Sequence, residues 1–365
     1  MKIALFGGSF DPFHTDHLTM INLVKIKTDI DEIWIIPTNQ NPFKTRKLSP
    51  VNDRLAMITL AVSSLPYVKI NAIELENKKP STTYDTVLKL QHQFFNHQFY
   101  FMIGSDQLAT LDKWNNIEAL TKIQTFIIFQ RNKKIDQAIL KQYQAILIPF
   151  HDNLHLSSTM LREGKNIALQ LPMITNYINN NLLYLPERLK QNMDAKRYQH
   201  CLNVGQKAQE LALIYHLDSQ KALIAGTYHD ITKQWTEEKQ QAYLTKYLPS
   251  FLSEPLPTWH SYTGYCHLKY DLLFTDEEIL SAVKWHTVGW PQMTMFEMLI
   301  FITDKISCER DYPKVDYYRT LAQQDLKKAF QELLVAQFEW AVAQYGLEHL
   351  GKNIQLTYQH WREDK

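Results

Sequence analysis

Six side chains in the second half of the chain are of the types that hold metal ions: His200 in RYQH, His229 and Asp230 in YHDITK, His260 in WHSYTG, His286 in WHTVG and Asp304 in TDK. Four imidazoles and two carboxylates can fill most coordination positions around two metal ions, with Asp230 able to bridge them. Two metals about 3.5–4 Å apart can share a hydroxide and clamp a phosphate for in-line attack. Lys233, one helical turn after His229, could reach a substrate phosphate. Any single histidine beside a helix carboxylate is ordinarily a packed pair; the ordered set H…HD…H…H…D is far more specific.

A second constellation opens the chain. An apolar run, Ile3–Phe6, leads directly into Gly7-Gly8-Ser9-Phe10-Asp11-Pro12-Phe13-His14-Thr15-Asp16-His17. The chain has only 10 glycines, so a pair at the end of a strand is unlikely to be filler. Glycines let the backbone approach a ligand and expose amide donors. The helix that follows presents its N-terminus, which favours phosphate. His14 and His17, three apart at the helix start, point to the same side and can supply hydrogen bonds and positive charge to a transferring phosphoryl group.

These residues need two different frames. In the first half, Ile3–Phe6, Ile33–Ile36, Phe99–Ile103, Phe126–Phe129 and Ile146–Ile148 read as buried strands. Between them, Asp16–Ile26, Asn52–Ser64 and Thr83–Phe95 repeat apolar residues at helical spacing. The alternation predicts an α/β doubly wound parallel sheet with ligands at the carboxyl ends of its strands. After Tyr184 the pattern becomes all-α, with helices over Ala195–Tyr215, Ser219–His229, Asp276–His286 and Thr294–Ser307. The expected division is a first domain over 1–186, a linker over 187–192 and a second domain over 193–365. A length of 365 residues suits two domains.

Composition narrows the function classes. Hydrophobic residues at 45% and charged residues at 21% describe an ordinary globular protein rather than a disordered or collagen-like one. The 39 basic and 38 acidic residues nearly cancel. Up to Arg188 there are 20 basic and 16 acidic residues, and beyond it 19 and 22, so neither half carries the basic stripe of a nucleic-acid binder. Small substrates are expected, with no nucleic acid and no membrane partner. The three scattered cysteines support neither a disulfide framework nor a CxxC zinc site. Neither a signal-peptide core nor a membrane span is readable, and a cytoplasmic location is expected.

GGSFDPFHTDH resembles the GGxFDPxHxGH signature of the nucleotidyltransferase superfamily, with Asp16 where glycine is usual. Further segments are similar to bacterial nicotinate-nucleotide adenylyltransferases. PTNQNPFK (37–44) stands where they have P-x-x-x-x-PHK, with Phe43 for histidine. PSTTYDT (80–86) matches PSYTxDT with Thr82 for tyrosine, and IGSDQLATLDKW (103–114) matches IGxDxLxxLxxW. LSSTMLR (156–162) matches ISSTxIR, and Leu171-Pro172 with Tyr177-Ile178 to Tyr184 follows their closing segment. The resemblance covers residues 1–186 and implies a Rossmann-like domain that transfers AMP from ATP to nicotinate mononucleotide, giving deamido-NAD and pyrophosphate with Mg²⁺. It places Gly7, Gly8, Ser9, Phe10, Asp11 and Gly104 at the nucleotide. Ser157, Ser158 and Thr159 would hold ATP phosphates, with Arg162 adding a planar charged fork and Lys44 a point charge. Trp114 offers a face to the pyridine ring, Thr83 and Thr86 could recognise its carboxylate, and Asp106 could position ribose or magnesium. His14, His17, Lys44 and Arg162 would be the charge-stabilising groups, with no covalent enzyme intermediate.

RYQHCLNV, AGTYHDITK, WHSYTGY and WHTVGWPQMTMFEMLIFITDKISCER resemble the HD-domain phosphohydrolases that split diadenosine tetraphosphate symmetrically into two ADP. HTVGWPQMTMFE is close to that family's HTxGxPxMTxLE. The resemblance covers about 193–335 and implies two metal ions, iron or its substitute manganese, on His200, His229, Asp230, His260, His286 and Asp304, with Asp230 and Lys233 serving hydrolysis. Departures include Tyr262, Met298 and Ser307–Cys308, of which Tyr262 and Cys308 are expected to reshape the nucleotide pocket. Cys201 and the cluster Trp285, Trp290, Phe296 and Phe301 read as packing residues. The whole is expected to be a bifunctional enzyme acting on ATP, nicotinate mononucleotide and diadenosine tetraphosphate, and compatible with a homo-oligomer. Two alternatives are an adenylyltransferase with a nucleotide-sensing HD module and an HD domain acting on another nucleotide such as guanosine tetraphosphate. Intact ligands at all six positions argue against a pure sensor.

Overall fold

The computed structural model describes residues 1–39, 46–76, 81–130, 135, 137–143, 145–150 and 156–362. The chain forms two compact units, Met1–Arg162 with Leu169–Tyr177, and Glu163–Ala168 with Ile178–Lys365.

The first unit is built on six parallel strands, β1 (Lys2–Gly8), β2 (Glu32–Pro37), β3 (Val68–Ile70), β4 (Gln98–Gly104), β5 (Thr125–Gln130) and β6 (Ile146–Pro149), in the order β3-β2-β1-β4-β5-β6. Helices α1 (Thr15–Lys27), α2 (Val51–Val62), α3 (Thr83–Gln93), α4 (Ile117–Ile123), α5 (Gln137–Gln142) and α6 (Ser158–Arg162) run between and after them. Successive strand residues face opposite sides. Ile3, Leu5, Trp34, Ile36, Phe99, Phe101, Phe126 and Ile128 pack in one core with Val87 and Leu90 of α3. Their neighbours Ala4, Phe6, Ile33, Ile35, Ile127 and Phe129 are equally buried on the other side. Burial on both faces is why these strands read as unbroken apolar runs. The strand order reverses between β1 and β4, which opens a crevice at their carboxyl ends, where GGSF and Gly104–Asp106 lie.

β3 is the element the sequence pattern misses. It has three residues at the sheet edge, none fully buried, so it carries no apolar run.

In the second unit no strand occurs among the described residues. α7 (Pro172–Asn180) contributes residues to both units, followed by α8 (Leu185–Lys190), α9 (Ala195–Ile214), α10 (Ser219–Tyr228), α11 (Glu237–Tyr247), α12 (Trp259–Cys266), α13 (Glu277–Trp285), α14 (Met295–Ile306), α15 (Val315–Gln324), α16 (Leu326–Tyr345) and α17 (Lys352–Arg362). Asp194, Asp218, Asp276 and Thr294 each accept a backbone N–H from the first turn of the helix they precede, which fixes where α9, α10, α13 and α14 start. α9 and α10 touch through glycine. A Cβ at Gly205 would stand 2.2 Å from Thr227 Oγ1, and one at Gly226 2.8 Å from Gly205 Cα. No larger residue fits at either place.

The linker expected over 187–192 is mostly helical. Residues 185–190 form α8, whose Arg188 is buried and donates to Asn179 Oδ1 at 2.7 Å, and the chain passes between the compact units at 162/163, 168/169 and 177/178. No helix among the described residues is long and apolar enough to cross a membrane.

Candidate functional site

Six elements of the helical unit converge on the predicted metal ligands. α9 supplies His200, the end of α10 His229, the turn after it Asp230, α12 His260, the end of α13 His286, and α14 Asp304. Three of the imidazoles are held alike: Nδ1 lies 2.7 Å from Gly226 O in His229, 2.9 Å from Pro257 O in His260 and 2.7 Å from Val283 O in His286. A carbonyl only accepts, so each Nδ1 carries the proton and each Nε2 is the ligand-type nitrogen. His200 Nδ1 is held by Glu309 Oε1, with the same consequence.

The Nε2 atoms meet the two carboxylates. His200 Nε2 is 3.1 Å and His229 Nε2 3.7 Å from Asp304 Oδ1. Asp230 turns one oxygen each way: Oδ2 is 3.4 Å from His229 Nε2, and Oδ1 is 3.2 Å from His260 Nε2 and 3.5 Å from His286 Nε2. His200, His229 and Asp304 form one group able to hold an ion, and His229, Asp230 and His286 another, with ligand atoms within 4.8 Å of one another. Nε2 of His200 and of His229 are buried without a hydrogen-bond partner, which a bound cation would remedy. Imidazole and carboxylate donors in this number suit a first-row divalent metal.

The electrostatics follow from burial. Burial pushes His229 down, yet Asp230 and Asp304 outweigh it and raise the imidazole to about 9. Burial also acts against the Asp230 charge, but His229, His260 and His286 hold its carboxyl well below the usual range. His260 falls to about 4, chiefly by burial. Lys233 lies in the turn after α10 rather than one turn along a helix, with Nζ 3.2 Å from His260 Nδ1.

Several residues around this cluster escaped the sequence reading. Arg197 Nη1 donates to Asp230 Oδ2 at 2.8 Å, and Arg310 Nη2 to Asp304 Oδ1 at 2.6 Å. Arg197 lies three residues before His200 on α9, a spacing that could have revealed it. Glu309 is 109 positions from His200 and gave no such signal. Its carboxyl, opposed by burial, is kept at about 2 by hydrogen bonds from His200, Ser307 and Asn203. Tyr262, expected at the nucleotide pocket, is instead fully buried against Phe251 and Trp285, and its Oη accepts from Asn353 Nδ2 at 3.1 Å. Cys308 is exposed, with Sγ 3.6 Å from Glu309 Oε2. Phe296 and Phe301 are core residues, while Trp285 and Trp290 stack half-buried at 5.8 Å.

In the α/β unit, Gly7 and Gly8 end β1 beside Ile36 and Pro37. Phe10 has φ +46°, and the Asp11–Pro12 bond is cis. His14 caps α1 and donates its backbone N–H to His17 Nδ1 at 3.1 Å, so His17 carries its proton on Nε2. The two rings stack with centroids 3.7 Å apart. Other candidates are engaged by the protein itself. Buried Asp11 pairs with Arg46, and its carbonyl accepts from Arg162 Nη1 at 2.8 Å. Arg162 Nη2 donates to Thr159 Oγ1 at 2.9 Å, Ser158 Oγ to Pro12 O at 3.0 Å, and Ser157 Oγ accepts from Met160 N. α6 begins at Ser158, so these hydroxyls belong to the helix as well as precede it. Arg54, which the sequence did not flag, is buried and bonds the carbonyls of Ser9, Thr38 and Ser49.

On the other side of the crevice, exposed Asp106 folds back over Gly104, where a Cβ would stand 2.3 Å from Oδ1. Trp114 is half-buried, edge-on to Phe101 at 6.0 Å. Thr82 caps α3 in a reciprocal box with Asp85, which puts Thr83 in the first turn. Thr86 Oγ1 donates to Glu74 at 2.8 Å, a part-buried contact within the protein. Lys44 and Phe43 lie outside the described residues.

Two family models match, cytidylyltransferase-like over residues 5–164 and HD domain over 197–308; the latter implies divalent-metal binding. A protein of Mycoplasma genitalium named "Probable nicotinate-nucleotide adenylyltransferase/Ap4A hydrolase" is 33% identical over 343 residues, covering 90% of this chain and 95% of that protein. A protein of the same name from Mycoplasma pneumoniae is 32% identical, covering 90% and 96%. A Bacillus pumilus protein named "Probable nicotinate-nucleotide adenylyltransferase" is 37% identical, covering 50% of this chain and 98% of its own. With an α/β unit bearing the GGSFDP turn and a helical unit bearing the six-residue cluster, the chain belongs to the family of two-domain nicotinate-nucleotide adenylyltransferase/Ap4A hydrolases.

Proposed function

We propose that the chain is a bifunctional enzyme: its α/β unit transfers AMP from ATP to nicotinate mononucleotide, and its helical unit hydrolyses diadenosine tetraphosphate to two ADP. The observation that carries the second half is the cluster of four Nε2 atoms around two carboxylates, with Asp230 offering one oxygen to each side. The first half rests on the histidine pair at the β1–α1 turn beside the β1/β4 crevice and on the relatives' names.

In the α/β unit the mononucleotide phosphate attacks the ATP α-phosphorus and pyrophosphate leaves. His17 presents Nε2–H and His14 stacks against it, so both act where negative charge gathers. Arg162 and Lys44 add charge to the phosphates, while Trp114 and Thr83 orient the pyridine mononucleotide. Magnesium, when bound, neutralises the triphosphate.

In the helical unit His200, His229, Asp230, His260, His286 and Asp304 would hold two metal ions, which we infer to be iron, with manganese able to replace it. Such ions supply charge neutralisation and lower the pKa of a water. The chain's own contribution is to fix the imidazole tautomers through three carbonyls and Glu309, and to ring the site with Arg197, Lys233, Lys305 and Arg310 for the polyphosphate. The three free cysteines suit the reducing cytoplasm in which such nucleotides are handled.

Product analysis tests the reading. The metal-loaded chain is expected to give two ADP per diadenosine tetraphosphate, and pyrophosphate with deamido-NAD from ATP and nicotinate mononucleotide. AMP plus ATP from the first substrate, or no ADP with two metals bound, would contradict it.

A further inference from the structure

A cavity of about 470 Å³ lies in the helical unit, lined by Lys305, Arg310, Tyr312, Tyr318, Gln337 and Trp340 among others. One of its walls is shared with the metal cluster. Arg310 Nη2 donates to Asp304 Oδ1 at 2.6 Å, and Lys305 Nζ is 3.7 Å from Asp304 Oδ2. Gln337 ties the cavity to the cluster a second time: its Nε2 donates to Thr287 O at 2.9 Å, and Thr287 Oγ1 is 3.0 Å from His260 Nε2.

The lining is graded in chemistry. Two of the three lining cations, Lys305 and Arg310, border Asp304, while three aromatic rings, Lys314 and apolar side chains complete the wall. Two buried polar atoms there have no hydrogen-bond partner: Tyr312 Oη, able to donate or accept, and Gln337 Oε1, which only accepts. Trp340 is 57% exposed, with its ring edge-on to Tyr345 at 5.9 Å, so much of the indole surface is open to a ligand. Volume, aromatic faces and a few directed polar atoms are the marks of a small-molecule site.

We propose that this cavity takes one purine nucleoside of a dinucleoside polyphosphate. The phosphates run over Arg310 and Lys305 toward Asp304, the base lies against Trp340 and the tyrosines, and Gln337 Oε1 accepts from a hydroxyl or amino group. The proposal rests on the hydrolase reading of this unit and adds to it the element that recognises the nucleoside. It also assigns a purpose to the chain beyond the metal ligands, since Gln337 and Trp340 sit on α16, well past Asp304 in sequence.

The test uses the full-length, metal-loaded chain. Trp340→Ala is expected to raise KM for diadenosine tetraphosphate about tenfold with kcat and metal content retained, the scale of losing one base–aromatic stack. Trp340→Phe, which keeps an aromatic face, restores most of the loss. An unchanged KM in Trp340→Ala overturns the assignment. If the wild type does not cleave this substrate, the hydrolase reading fails, and titration with ADP decides the cavity separately. ADP binding weakened about tenfold in Trp340→Ala sustains it. Equal binding in both proteins, or none in either, overturns it.

Discussion

The two candidate sites are built in opposite ways. In the helical unit the candidate ligands are buried, and their orientation is fixed by the protein: three Nδ1 atoms are committed to carbonyls and a fourth to Glu309. In the α/β unit the candidate polar groups are bonded to the protein: beside the GGSFDP turn, Arg162 to the Asp11 carbonyl and Ser158 to Pro12, and across the crevice Thr86 to Glu74. The contrast reflects what each site must hold. A metal needs several donors aimed at one point from dry surroundings, so helices packed through Gly205 and Gly226 set them rigidly. Long, charged nucleotides are met at the end of a sheet, where loops and short helices can exchange internal bonds for bonds to phosphate.

Breaking the rigid site should have the largest effect. Asp230→Asn removes charge from the residue that faces both ligand groups; both metals and hydrolysis are expected to be lost, with adenylyl transfer retained, as measured by metal analysis and paired assays. The loop-built site should respond in the opposite sense. His17→Ala is expected to lower adenylyl transfer by about 10²–10³, the range for one preorganised donor, while hydrolysis is unchanged. A smaller effect tests the orientation of the cluster: Glu309→Ala should weaken metal binding about 10–100-fold, read by chelator competition. Glu309→Gln, which can still accept at Oε1, should fall between the two. Smallest of all, Thr82→Ala removes the α3 cap and should destabilise the chain by about 1 kcal/mol in thermal denaturation without changing kcat of transfer.

The frame was legible where periodicity and caps agree. The strands Ile3–Phe6 and Phe126–Phe129 are apolar runs because both sheet faces are covered, and α14 begins where Thr294 and Glu297 form a capping box that the string MTMFE already contains. The six metal-type residues were legible because their chemistry is restricted and their neighbours distinctive. What escaped depends on pairing across the chain. Glu309 reaches His200 only after α9 and α14 are folded, and Arg54 reads as an ordinary helix charge until its three carbonyl partners are in place. Tyr262, a departure from the family pattern, has its side chain in the core against Phe251 and Trp285, a placement that only the packed helices reveal. Likewise α8 hides in a polar, proline-bearing stretch because its proline sits in the first turn, where a helix tolerates it.

The central claim is that Asp230 stands between two metal positions. Anomalous diffraction from crystals loaded with iron or manganese tests it directly. The account predicts two peaks, one bounded by His200, His229 and Asp304 and one by His260 and His286, with an Asp230 oxygen on each. A single peak, or two peaks of which neither touches Asp230, would contradict it.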